Sequence, residues 1–367
     1  MYSKHLLIFL ICIPISLLAQ RREPLDIQMD FEAYDPPSTL VVPENPVNRA
    51  RFPFIDVHSH QWRMDTANLD RLVHEMDAMN MGVMVNLSGR GGLKLKNMTD
   101  NIARQYPNRF VCFTNINLRS IDEPDWTEET VKQIEYDVAN GARGLKIYKS
   151  QGMHNVDSKG ERIKINDPRI DPVWAKCGEL GIPVLIHSAD PKSFWDPLDS
   201  LNERWLELKL RPGRKRDADN PAAWETIIAE QHDVFKKHPN TTFINAHLGW
   251  HGNNLARLGE LLEEMPNMYV GIGAVIAELG RQPRMANWFF EKYQDRVLFG
   301  KDSYKPDEFP TYFRVLETSD EYFPYYKRYH AFWRMYGLDL PDEILRKLYY
   351  KNALKIIPGL DTSLFPE

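Results

Sequence analysis

Apolar residues along this chain gather in short runs, spaced so that a segment of helical periodicity fits between most neighbours. The runs fall at 54–58, 82–87, 109–115, 143–148, 182–187, 241–246, 268–272 and 296–300. Helical spacing marks the intervening stretches Leu69 to Met79, Thr127 to Ala139, Asp171 to Leu180, Trp224 to Lys237 and Asn254 to Glu264. Strand-like runs alternating with helical segments are the pattern of a parallel sheet with crossover helices. Eight such units over roughly 300 residues suit a closed (β/α)8 TIM barrel better than an open doubly wound sheet. No glycine-rich dinucleotide fingerprint follows any run, which weakens the open-sheet alternative.

Three stretches break the rhythm. Residues 149–167 and 188–220 are long insertions after the fourth and fifth strands, on the side where barrel active sites sit. An aromatic stretch, 318–338, precedes the last helix. Ahead of the barrel, residues 20–51 are rich in proline and acid with little periodicity and read as an extended arm. The barrel itself is expected over 52–360.

Composition narrows the partners. With 367 residues, 43% apolar and 26% charged, the chain can bury a large core, and a formal charge of −5 leaves no basic footprint for nucleic acid. Lys4 and His5 followed by the apolar run Leu6 to Ala19 have the form of a signal peptide over 1–19, too short to span a bilayer comfortably. Export, to a bacterial periplasm, is expected, with membrane attachment only through an uncleaved leader. Cys112 and Cys177 lie on different elements and read as buried thiols rather than a disulfide.

The candidate chemistry sits at strand ends. Residues two apart on a strand share a face, so His58 and His60 of Asp56-Val57-His58-Ser59-His60 can point into one cavity. Paired imidazoles suit a borderline metal such as zinc. The fifth and sixth runs end in His187 and His247, the eighth in Lys301 and Asp302, and the fourth carries Lys146. Of eleven histidines, four thus stand on one rim beside a carboxylate, too many for surface decoration.

These motifs, with Gly144-Leu145-Lys146-Ile147, Ile186-His187, Ala246-His247-Leu248-Gly249, Phe299-Gly300-Lys301-Asp302 and Asn352-Ala353-Leu354-Lys355, resemble the amidohydrolase superfamily. The likeness is to its amidohydrolase 2 branch, which also holds aminocarboxymuconate-semialdehyde decarboxylase and related non-oxidative decarboxylases. It covers residues from about 52 to 358. The resemblance implies one divalent ion, zinc before manganese, held by His58, His60, His187 and Asp302. His247 would be a general acid/base or an added ligand, with Asp302 a second candidate base. A strand-four lysine bridges two metals in binuclear relatives; here the branch implies that Lys146 is unmodified. Lys301 stands where many relatives have threonine, placing a cation beside the site or pointing away.

Asp56 shares the face of the histidine pair and is expected to orient a ligand ring. Lys149, Trp250 and Arg281 are further candidates for substrate contact or support, and their cationic and aromatic character favours an anionic or ring-containing small molecule. The expected activity is hydrolysis of an amide, ester or lactone bond by a metal-activated water. Decarboxylation of a carboxylated substrate is the alternative, and a non-catalytic binding protein on a barrel scaffold the alternative of another class. The sequence leaves a homo-oligomer open.

Overall fold

The computed structural model describes residues 25–366; the leader-like segment 1–19 lies outside them. The chain divides into two units, one ending at Pro37 and one beginning at Ser38. The described part of the first is extended, with a single 3-10 turn, Phe31–Ala33, capped by Asp30, whose carboxylate accepts the Glu32 N–H at 3.0 Å.

The second unit is the barrel. Its strands β1 (Phe54–Ser59), β2 (Met81–Asn86), β3 (Phe110–Thr114), β4 (Ala142–Ile147), β5 (Val184–Ile186), β6 (Phe243–Asn245), β7 (Met268–Gly271) and β8 (Val297–Leu298) pair in chain order, all parallel. Helices alternate with them, and each strand lies within or beside one of the apolar runs read from sequence. The strands are buried on both faces, as a parallel sheet inside a ring of helices must be.

Closure falls between β1 and β8, and that seam carries the site. Val57 donates to the Phe299 carbonyl at 3.0 Å, and Asp302 donates to the His58 carbonyl at 2.7 Å. Gly300 permits the approach: a Cβ there would lie 2.9 Å from His58 Cβ and 3.2 Å from its backbone nitrogen. Behind the seam Phe54, Phe299, Phe313 and Tyr349 form an edge-packed aromatic cluster, with Phe54 and Phe299 centroids 4.8 Å apart.

Residues 38–51 lie along the barrel. Asn45 pairs with Asp320 at 2.8 and 2.7 Å, and Arg51 reaches Asp342 at 2.8 Å. The long insertions fold onto the rim around Asp190, which takes Lys149 Nζ at 2.5 Å and Arg216 Nη2 at 2.8 Å. The aromatic stretch contributes a two-stranded antiparallel ribbon, Phe323–Pro324 with Arg334–Met335. Among the described residues no helix is long and apolar enough to cross a membrane. Cys112 and Cys177 are free and buried, and burial pushes both thiols up to about 12.

His232, on helix Trp224–Lys237, gives the fold a pH dependence. Burial first, then His251, lowers its pKa to about 4. As pH falls below 6.5 the unfolded chain takes up a proton that the folded chain refuses. Stability is therefore expected to decline from pH 6.5 down to about 4, by at most about 3 kcal/mol from this residue. Urea unfolding at pH 7.5 and 5 measures the loss, and His232→Gln should flatten part of it.

Candidate metal centre

The alternation of β1 puts His58 inside the barrel mouth and His60 one step above it, their ring centroids 5.5 Å apart. Asp302 arrives from the end of β8 in a left-handed conformation, φ 82°, which aspartate tolerates better than most residues. Its Oδ1 lies 3.5 Å from His58 Nε2 and 3.7 Å from His60 Nε2. One ligand atom from each of the three falls within 4.8 Å of the others. His187, expected as a fourth donor, stands outside that group, and its Nδ1 faces His247 Nε2 at 3.2 Å.

All four imidazoles are held neutral. Burial, then Lys146, keeps His58 well below the ordinary range and His60 at about 4; burial, then His247, does the same to His187. His247 is lowered by burial, with Asp302 opposing. Neutral rings offer lone pairs, and two hydrogen-bond relays settle where those lone pairs point. Tyr148 donates its hydroxyl proton to the Leu87 carbonyl at 3.0 Å, so its oxygen accepts from Ser88 Oγ at 3.2 Å. Ser88 Oγ then accepts from His60 Nδ1 at 2.9 Å, which leaves His60 Nε2 bare toward Asp302.

The second relay starts at Gly273, whose carbonyl can only accept. His247 Nδ1 therefore donates to it at 2.6 Å, and His247 Nε2 accepts from His187 Nδ1. His187 Nε2 is left bare, buried and without a partner, and His58 Nε2 is likewise buried with no hydrogen-bond partner. Buried bare imidazole nitrogens beside a carboxylate are what a divalent ion needs, and the donor set fits one. Removing the first relay with Ser88→Ala frees the His60 tautomer. Metal affinity is expected to drop about 10- to 100-fold, read by chelator competition, with the fold intact.

Local backbone explains the neighbour of His247. His247, Leu248, Gly249 and Trp250 form one left-handed turn, with φ of 58°, 54°, 57° and 59°. In a three-residue turn positions i and i+3 eclipse. That is why the Trp250 ring stacks on His247, centroids 4.6 Å apart at 26°. Such strain persists where surrounding structure fixes it, commonly at functional sites.

The other expected residues divide. Lys146 lies in the cluster with Nζ buried and unpartnered, lowered to about 7 by burial. Asp56 lies behind the ligands but orients no ring. Its Oδ1 accepts the backbone N–H of His58 at 3.0 Å and of Lys301 at 3.1 Å, so it joins the strands instead. The Lys301 side chain turns away from the centre to Glu308 and the Ser303 carbonyl, at 2.5 and 2.7 Å, because Asp302 occupies the inward position. Lys149 is engaged by Asp190. Arg281 sits over Trp333, 3.9 Å from its centroid, and pairs with Glu203 at 2.9 Å.

Ser88 escaped the sequence reading, although it lies two residues past Asn86, the end of β2, where the alternation rule would have put it on the rim. Trp62 and Arg90 were also missed. Trp62 is half-exposed and stacks on His60 at 6.0 Å, and the Arg90 guanidinium lies 4.7 Å from its centroid.

A family model described as amidohydrolase matches residues 55–358. Comparison with curated proteins finds no match. Among solved structures, an uncharacterized TIM-barrel protein from Bordetella bronchiseptica is similar, with TM-score 0.51 and 15% identity over 83% of this chain and 97% of that one. 5-Carboxyvanillate decarboxylase from Sphingomonas paucimobilis is similar, with TM-score 0.50 and 12% identity over 83% of this chain and 99% of that one. Both similarities concern the fold.

Proposed function

This chain belongs to the amidohydrolase family, and on that premise we propose that it is a metal-dependent hydrolase opening an amide, ester or lactone bond. The observation that carries the reading is the group His58, His60 and Asp302, with bare nitrogens turned toward one carboxylate. His187 Nε2, freed by the second relay, supplies a further lone pair. Imidazole-rich donors with one carboxylate favour zinc over manganese. When bound, such an ion lowers the pKa of a coordinated water to about 7 and polarises a substrate carbonyl.

The chain's residues manage the proton. His247 is neutral, with its proton held on Nδ1 by the Gly273 carbonyl, and Nε2 takes a proton during turnover once its hydrogen bond from His187 is released. Asp302 favours the resulting imidazolium, since its charge acts to raise the His247 pKa. Trp62 and Arg90 on one side of His60 support a substrate that is anionic or carries a ring. Export to a periplasm, resting on the leader-like residues 1–19, belongs to the same reading.

The test is product analysis with metal-loaded protein over lactones, amides, esters and aromatic carboxylates in oxygen-18 water. One labelled oxygen per bond cleaved, carried by the carboxylate product, is expected. Carbon dioxide release with no label in the organic product would replace hydrolysis by decarboxylation, and a protein indifferent to metal and inert to every substrate would leave a binding role.

A further inference from the structure

Strand β2 ends in a fully buried asparagine, Asn86, in register with Ser59 of β1. The neighbours of its side-chain amide fix which end is oxygen. The backbone N–H groups of Gln61 and Ser88 can only donate, and they meet Oδ1 at 2.9 and 3.0 Å. The Gln61 carbonyl can only accept, and Nδ2 donates to it at 2.9 Å. Nδ2 also faces two buried sulfur atoms, Met64 Sδ at 3.3 Å and Met98 Sδ at 3.2 Å.

These bonds lie beyond the sheet. Leu87 donates to the Ser59 carbonyl at 2.8 Å, and past that point the Asn86 amide continues the connection between the two chain segments. The residues it grips flank the first relay. Gln61 follows His60 directly, and Ser88 Oγ is the atom that accepts from His60 Nδ1 at 2.9 Å. One amide therefore holds the backbone at both ends of that hydrogen bond. Gln61 also leads into Trp62, whose ring stacks on His60.

We propose that Asn86 is a positioning residue for His60: it sets the ring against Ser88 and so decides which imidazole nitrogen is bare toward an ion. Its consequence for metal binding rests on His60 being a ligand.

Hydrogen bonds weaken steeply away from their preferred geometry, so the bond between ring nitrogen and hydroxyl tolerates little drift. The proton of a neutral histidine stays on the nitrogen whose hydrogen bond holds it there. Without the grip on Gln61 and Ser88, the Nδ1 proton loses its fixed acceptor and Nε2 becomes free to carry it. A protonated Nε2 has no lone pair for an ion. An outer hydrogen bond that orients a ligand ring is worth about 10- to 100-fold in affinity. Asn86 and Ser88 act through the same bond, so losing both should cost no more than losing either.

The test reads the His60 ring directly. Full-length protein carrying nitrogen-15 histidine is freed of metal by dialysis and followed by NMR at pH 7, where His60 is neutral. The His60 signals are assigned by their loss in His60→Gln, and zinc affinity is measured in parallel by chelator competition. Wild type should show one tautomer, protonated on Nδ1. Asn86→Ala should show both, as should Ser88→Ala, with affinity down about 10- to 100-fold in each and no further in the double variant. Asn101→Ala controls for damage to the same segment. Asn101 is buried and donates to the Met64 and Ala67 carbonyls at 2.7 and 3.0 Å, and it bonds neither Gln61 nor Ser88. That variant should keep the wild-type tautomer and affinity. Asn86→Asp serves should alanine fail to fold; it keeps the acceptor but turns an oxygen on the Gln61 carbonyl, and mixed tautomers are again expected. A wild-type His60 ring in a folded Asn86 variant, equal disturbance in Asn101→Ala, or losses that multiply in the double variant would overturn the proposal. Mixed tautomers with unchanged zinc affinity in both Asn86→Ala and Ser88→Ala would strike the reading of His60 as a ligand alone.

Discussion

Alanine at His58 is expected to strip the protein of its metal and its activity together. The ring is buried at the closing seam, its Nε2 has no protein partner, and Asp302 Oδ1 stands 3.5 Å away. Losing such a donor should cost more affinity than the about 100-fold that losing an outer hydrogen-bond partner costs. His187→Ala is expected to lower metal content too, since the His247 relay leaves its Nε2 bare. His247→Ala should behave differently. Its Nδ1 donates to the Gly273 carbonyl at 2.6 Å and its Nε2 accepts from His187 at 3.2 Å, so neither ring nitrogen is left for an ion. Metal content should stay near wild type while kcat falls about 10²- to 10⁴-fold, the usual weight of a positioned acid or base. Metal per chain after dialysis, measured beside kcat for the three variants, separates the roles. Metal retained in His187→Ala would confine the ligands to His58, His60 and Asp302. Metal lost equally in His247→Ala would add that residue to them.

The barrel was legible because its signal is repetitive. Eight apolar runs alternating with helical periods admit few topologies, and each run sits where a strand is found. The rim was legible because polar residues closing apolar runs have few bland explanations, and His58, His60 and Asp302 did converge. What stayed hidden depends on contacts far apart in sequence. Ser88 acts through a hydrogen bond to His60, 28 residues away in the chain. The left-handed turn at His247–Trp250 has no local signature beyond Gly249, since leucine and tryptophan seldom adopt it. Asp302 was expected at the centre, and the sequence left open whether the adjacent Lys301 stood beside it or pointed away. The backbone at β8 gave the inward place to the carboxylate.

Asp56 illustrates the same limit, and it predicts a large loss of stability. Spacing placed it on the face of the histidine pair, yet its Oδ1 gathers two backbone N–H groups, one from His58 on β1 and one from Lys301 just past β8. The side chain thereby replaces ladder hydrogen bonds where the two strands diverge. Burial raises its pKa to about 7, opposed first by the His58 N–H. Asp56→Ala would leave both donors unpaired in the interior, each worth about 1–3 kcal/mol. A loss of about 2–5 kcal/mol is expected in chemical denaturation, together with weaker metal binding, because the seam positions both His58 and Asp302. Asp56→Asn keeps a carbonyl oxygen for the same two N–H groups and should stay within about 1 kcal/mol of wild type. If asparagine proves as damaging as alanine, the negative charge rather than the shared acceptor holds the barrel closed.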